Sequence, residues 1–190
     1  MNPANFLTVI RFFLAAAFTA LGSLDHILIN AWLWALIVFV LASLSDWLDG
    51  HIARKFNLIT DFGKLMDPLA DKVLVLSALL LLVQKDVLSA WVAVIMLARE
   101  FLVTGLRLVA ASKGTVLAAE GLGKHKTFSQ ITAIFMALFS LALPEASTSH
   151  YSALKTAVSS AVPWVFAWAV IITIYSGAVY FWKNRSILNG

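Results

Sequence analysis

No cysteine occurs in the 190 residues, which excludes disulfides, thiolate metal sites and thiol redox chemistry and leaves the redox character of the compartment unmarked. Charge is also scarce: Asp, Glu, Lys and Arg make up 13% of the chain against 61% hydrophobic residues, where a soluble domain carries about 25% charged residues. Missing too are a basic cluster ahead of the first apolar run, which opens on Asn2 and Pro3, and any internal repeat or low-complexity linker. A cleavable leader is therefore not expected. With a mean hydropathy of +0.89 and a net charge of only +4, the chain reads as an all-α polytopic integral membrane protein with no nucleic-acid partner. Its length allows roughly six spans of about 20 residues and no separate soluble unit, so 1–190 is taken as a single membrane domain.

The apolar runs place the six spans at about 1–24, 31–48, 63–83, 90–111, 127–143 and 158–181. Lys and Arg gather in the second and fourth connections (Arg54, Lys55 and Lys64; Lys113, Lys124 and Lys126) and at the C-terminus (Lys183, Arg185), while the other three connections hold only Lys85 and Lys155. By the positive-inside rule both termini face the cytoplasm. The seven tryptophans cluster near span ends, as an aromatic belt requires, and the four histidines have no ligand spacing.

Against this background 46–71, DWLDGHIARKFNLITDFGKLMDPLAD, stands out. An ionisable group at membrane depth costs a few kcal/mol or more, so several together point to function. On a helix Asp46, Asp49, Gly50 and Ala53 fall at i, i+3, i+4 and i+7, with Arg54 next. After a polar hinge Gly63, Asp67 and Asp71 fall at i, i+4 and i+8 of a second helix. Packed side by side, these carboxylates repel unless a hard divalent cation shares their oxygens, and such cations also bind substrate phosphates. The alternative is a set of interhelical ion pairs with Arg54, Lys64 and Lys72, which gives no reason for glycines at those positions.

The run Asp46-x2-Asp49-Gly50-x2-Ala53-Arg54-x8-Gly63-x3-Asp67-x3-Asp71 resembles the complete signature of the CDP-alcohol phosphotransferase family. That resemblance implies a six-helix membrane enzyme with its site at the cytoplasmic end. It makes Asp46, Asp49 and Asp67 ligands of Mg²⁺ or Mn²⁺, two ions in all, and Asp71 both ligand and general base. Gly50, Ala53, Arg54 and Gly63 then receive the CDP group, and Asp61 is placed to accept from the cytosine amino group. The implied reaction is attack of an acceptor hydroxyl on the β-phosphorus of a CDP-linked donor with loss of CMP. Homodimers are the habit of the family.

Three further segments are similar to the bacterial branch whose donor is CDP-diacylglycerol and whose acceptor is sn-glycerol 3-phosphate: Asn5, Thr8 and Arg11 in the first span, Ala98 to Arg107, and Gly123 to Thr127. Asn5 and Thr8 are assigned to the donor site. Arg11 either joins them or snorkels to lipid phosphate. Arg99 and Arg107 lie two turns apart on one face and, with Lys124 and Lys126 at the start of the next helix, suit a phosphomonoester dianion, Lys124 being assigned to its phosphate. Positive-inside signalling accounts for Lys113 and Lys126 but poorly for Arg99, which lies inside its span with Glu100 as a partner for it or for Arg107. The expected location is a bacterial cytoplasmic membrane. The alternatives are a family member with another acceptor (serine, inositol phosphate or a lipid) and, from a different class, an ion-coupled transporter using the carboxylates as a cation site.

Overall fold

The computed structural model describes 3–56, 61–115, 117, 121–144 and 149–185, and side chains over 9–45, 69, 72–115, 117, 121, 123–144 and 151–185. These residues form six helices in chain order: α1 Pro3–Ser23, α2 Ala31–Phe56, α3 Asp61–Gln84, α4 Ala90–Ser112, α5 Gly121–Ala142 and α6 Ser149–Lys183. No strand occurs among them. The all-helical expectation and the number of helices hold.

Three boundaries differ from the hydropathy reading. α2 runs on to Phe56, α5 opens at Gly121 and α6 at Ser149, well outside the apolar runs that ended at 48 or began at 127 and 158. Hydropathy marks the stretch suited to hydrocarbon, whereas a helix continues for as long as each backbone N–H finds its carbonyl four residues back. Hydroxyls help in these polar ends: Thr127 donates to the Gly123 carbonyl at 3.1 Å and Thr156 to that of Ser152 at 2.9 Å, so the side chain is satisfied without leaving the helix.

The helices pack as a bundle in which α1 lies against α2 and α3, α5 against α2 and α6, and α4 against α6. Small residues permit close approach: Ala15, Ala35, Ala42, Ala78, Ala133, Ala137 and Ala169 are all at 0–1% exposure. Between them Phe18 and Phe39 meet with ring centroids 5.8 Å apart, and Leu79, Leu82, Met96, Ile134 and Leu138 complete the core. Gly22 gives room where α1 meets α3, since a Cβ there would sit 2.6 Å from a Leu81 methyl and oblige that side chain to shift. The turns after α1 and α3 are closed by Asn30 (φ 58°) and Asp86 (φ 57°), residue types that tolerate the left-handed region.

The outer surface is apolar. Phe13, Trp91, Phe128, Trp164 and Trp182 are each more than 70% exposed, far beyond what a water-soluble monomer leaves uncovered. Among the described residues Tyr151–Lys183 is the one segment both long and apolar enough by itself to cross a bilayer, with shorter apolar stretches at Val9–Ser23, Ala31–Ser45 and Lys72–Gln84. At about 1.5 Å per residue, the 35 residues of α6 exceed the roughly 30 Å hydrocarbon thickness.

Candidate active site

The backbone supplies the helical premise of the aspartate-rich stretch. Asp46, Asp49, Gly50, Ala53 and Arg54 lie on the last turns of α2, and Asp61, Gly63, Asp67 and Asp71 on the first turns of α3. The side chains of all nine, and those of Asn5 and Thr8 on the first turns of α1, fall outside the described residues, as does the 57–60 connection. Two aspartates thus lie on the end of α2 and three on the start of α3. An all-carboxylate oxygen set of that kind suits a hard divalent cation rather than a soft one.

From Lys72, directly after Asp71, the side chains of α3 are described continuously. Lys72 Nζ donates to Thr104 Oγ1 at 2.6 Å, tying the start of α3 to the second half of α4. On α4, Arg99 Nη1 donates to Glu100 Oε1 at 3.0 Å, and Lys126 of α5 bonds the same carboxylate oxygen. The side-chain exposures are 14% for Arg99 and 20% for Glu100, and 3% for Lys126. Charges this deep are tolerable only when paired and hydrogen-bonded. Arg99 also reaches α6, with Nη2 3.3 Å from Ser176 Oγ. The Ser176 hydroxyl proton is committed to the Thr173 carbonyl at 3.1 Å, so its lone pairs face the guanidinium. Gly177 beside it leaves room for the arginine stem, as a Cβ there would come within 3.1 Å of Arg99 Cγ.

Arg107 follows a different path. It is exposed, its Nε donates to the hydroxyl of Tyr180 at 3.0 Å, and its guanidinium carbon lies 5.5 Å from that ring's centroid. Glu100 thus serves Arg99 and Lys126 and leaves Arg107 to a neutral phenol. The reading of Lys126 as a topology signal is corrected, since it is buried and ion-paired. Lys124, assigned to the acceptor site from its spacing, is exposed on the first turns of α5.

Arg11 is 2% exposed and lines a cavity of about 20 Å³ with Phe39, Ala42, Ser43, Leu74, Val75 and Ile131. It points into the bundle, which overturns the option of snorkelling to lipid.

Between α3, α4 and α5 lies a larger cavity of about 150 Å³. Lys72, Glu100, Lys126, Thr127 and Gln130 form its polar side and Leu69, Val73, Leu76, Leu97, Phe101 and Ile131 its apolar side. Gln130 is 2% exposed, and its amide nitrogen has no hydrogen-bond partner among the described residues. The Nε of Arg99 is in the same position. A buried donor left unpaired costs about 1–3 kcal/mol. Sequence reading passed over Gln130 and left Lys126 as a topology signal because 127 was taken as the start of the span. With α5 opening at Gly121 they stand at i and i+4 of one face, a signal present in the sequence.

The opposite end of the bundle carries a separate polar group. Asp25, in the turn after α1, receives Lys85 Nζ at 2.6 Å and the Trp32 indole N–H at 3.0 Å. The Lys85 hydrogen bond holds the Asp25 carboxyl below its usual value against the opposing effect of desolvation, with Trp32 and the charges of Lys85 and His26 adding to the lowering.

Comparison with known proteins gives a consistent result. The family described as CDP-alcohol phosphatidyltransferase matches residues 1–175. A Bacillus subtilis protein named CDP-diacylglycerol--glycerol-3-phosphate 3-phosphatidyltransferase is 47% identical over 152 residues, covering 80% of this chain and 74% of that protein. Proteins of the same name from Rickettsia typhi and Mycoplasma pneumoniae are similar as well. The first is 38% identical over 175 residues, 92% of this chain and 94% of its own. The second is 31% identical over 196 residues, 93% of this chain and 81% of its own.

Proposed function

The chain belongs to the CDP-alcohol phosphatidyltransferase family, and on that premise we propose that it transfers the phosphatidyl group of CDP-diacylglycerol to sn-glycerol 3-phosphate, giving phosphatidylglycerophosphate and CMP. The observation that carries the reading is the bond from Lys72, directly after Asp71, to Thr104 at 2.6 Å. It sets the Arg99, Glu100 and Lys126 cluster beside the helix that bears half of the signature. The shared name of relatives covering most of the chain supports the choice of acceptor.

In this reading Gly50, Ala53 and Gly63 allow the nucleotide to approach the helix backbone, Arg54 binds donor phosphate oxygens, and Asp61 with Asn5 and Thr8 completes the donor site. Asp46, Asp49, Asp67 and Asp71 hold Mg²⁺ or Mn²⁺, two ions in all. The chemistry those ions supply when bound is neutralisation of the pyrophosphate and of the leaving CMP. Arg99, Arg107 and Lys124, joined by Lys126, orient the acceptor phosphate. The C1 hydroxyl oxygen of glycerol 3-phosphate forms a bond to the β-phosphorus, the bond from that phosphorus to the CMP oxygen breaks, and the hydroxyl proton passes to an Asp71 carboxylate oxygen.

The same proposal makes the protein a six-span protein of a bacterial cytoplasmic membrane, one domain over 1–190, with both termini cytoplasmic and two copies forming a homodimer. The exposed aromatic and aliphatic surface supports a lipid environment. The Lys and Arg asymmetry supports the orientation. α4 is poor in hydropathy because it carries Arg99, Glu100 and Arg107, and the first two are paired inside the bundle.

The test is CMP release by detergent-purified protein given CDP-diacylglycerol, Mg²⁺ and single acceptors. Glycerol 3-phosphate is expected to support turnover, with loss of activity in Asp46→Asn, Asp49→Asn and Asp67→Asn. Equal turnover with serine or inositol phosphate reassigns the acceptor, and no CMP release with any acceptor removes the enzymatic reading.

A further inference from the structure

The unpaired amide of Gln130 sits where a ligand has to satisfy it. The side chain is 2% exposed, its nitrogen lacks a partner among the described residues, and it lines the cavity between α3, α4 and α5. On α5 it lies one turn deeper than Lys126, about 5–6 Å further from the polar end. Lys72, Thr127 and the Lys126–Glu100 pair supply the other polar groups of the lining, and Leu69, Val73, Leu76, Leu97, Phe101 and Ile131 the apolar ones. The cavity thus offers one unpaired neutral donor against a largely hydrocarbon wall. The glycerol-ester region of a lipid presents the complementary combination of ester carbonyl and acyl chain, and the carbonyl accepts a hydrogen bond while offering none. A water-soluble acceptor gains nothing from a leucine and isoleucine wall.

We propose that this cavity receives the glycerol-ester region of the donor lipid and that the Gln130 side-chain amide donates to an ester carbonyl, so that Gln130 selects acyl-ester donors. The assignment rests on the reading of the chain as a CDP-diacylglycerol-dependent transferase and adds to it a residue and a bond.

The experiment compares CDP-diacylglycerol with CDP-dialkylglycerol, an ether donor that lacks the carbonyls, on the full-length purified protein. The unmodified chain is expected to favour the ester donor in kcat/KM by about tenfold, the scale of one neutral hydrogen bond. Gln130→Leu loses about that factor on the ester donor, loses little on the ether donor, and leaves the KM for glycerol 3-phosphate unchanged. Gln130→Met, which keeps the length but carries no donor, gives the same pattern if the leucine variant does not fold. Equal loss on both donors overturns the proposal by making Gln130 a packing residue, and a raised KM for glycerol 3-phosphate overturns it by moving the amide to the acceptor. Equal use of the two donors by the unmodified chain overturns it without any variant. If no CMP is released, thermal stabilisation by each donor in the presence of Mg²⁺ separates the two claims. Stronger stabilisation by the ester donor sustains the Gln130 assignment while the enzymatic reading falls, and equal stabilisation ends the assignment too.

Discussion

Arg99 and Arg107 share a helix face but not an environment, and their substitution should report the difference. Arg99 is fixed by Glu100 and Ser176 inside the bundle, whereas Arg107 is exposed and held by the Tyr180 hydroxyl. Each charge-assisted contact to a phosphate is worth roughly 1.5–3 kcal/mol, or about ten- to a hundredfold in kcat/KM. Arg99→Gln and Arg107→Gln are expected to raise the KM for glycerol 3-phosphate by at least about tenfold with little change for CDP-diacylglycerol, and Arg54→Ala to do the reverse. Kinetics with each substrate varied in turn decides it, and equal losses on both substrates would mean that the arginines serve only the fold. Lys126→Ala should cost more than Lys124→Ala, because the first leaves Glu100 short of a partner and the second removes an exposed charge. Spacing made Arg99 and Arg107 legible as a pair. It gave Lys124 to the acceptor phosphate and Lys126 to topology, and could not mark Lys126 as the buried one, because that depends on where α5 begins.

Among the elements, the turns at the end of the bundle opposite Lys126 are each closed by backbone hydrogen bonds and tied to one another by side chains. Asp25 links the α1–α2 turn to Lys85 at the foot of α3 and to Trp32 at the head of α2. Because the Asp25 carboxyl titrates below its unfolded value, its contribution is complete above the ordinary carboxylate range and fades as pH falls through the lowered folded value. Asp25→Asn is expected to cost about 1 kcal/mol at neutral pH and a few degrees of melting temperature. The gap between variant and parent should close on acidification, and a gap independent of pH would show that the ion pair contributes nothing. Nothing in the linear sequence joined Asp25 to Lys85, since such a pairing exists only once α1 and α3 lie side by side. The existence of all six helices, by contrast, was legible from apolar run length. Their ends were not, because α2, α5 and α6 continue through polar residues whose backbone bonds hydropathy does not register.

For the molecule as a whole, orientation is the property most open to measurement, since a chain without cysteine accepts single cysteines as unambiguous labels. His26→Cys and Lys155→Cys are expected to react in intact cells with a membrane-impermeant maleimide. Lys113→Cys and Lys124→Cys should react only after lysis, and the converse pattern would invert the topology. The buried charge cluster has a consequence for synthesis. α4 leaves the ribosome before α5, and for that interval Lys126 is absent. Arg99 and Glu100 are adjacent in the chain and bond each other at 3.0 Å, so the newborn segment offers the translocon a neutral pair instead of two separate ions. The carboxylate that later receives Lys126 thus first serves as an escort for Arg99. Glu100→Gln should therefore lower the amount of protein inserted into the membrane before any effect on turnover can be measured.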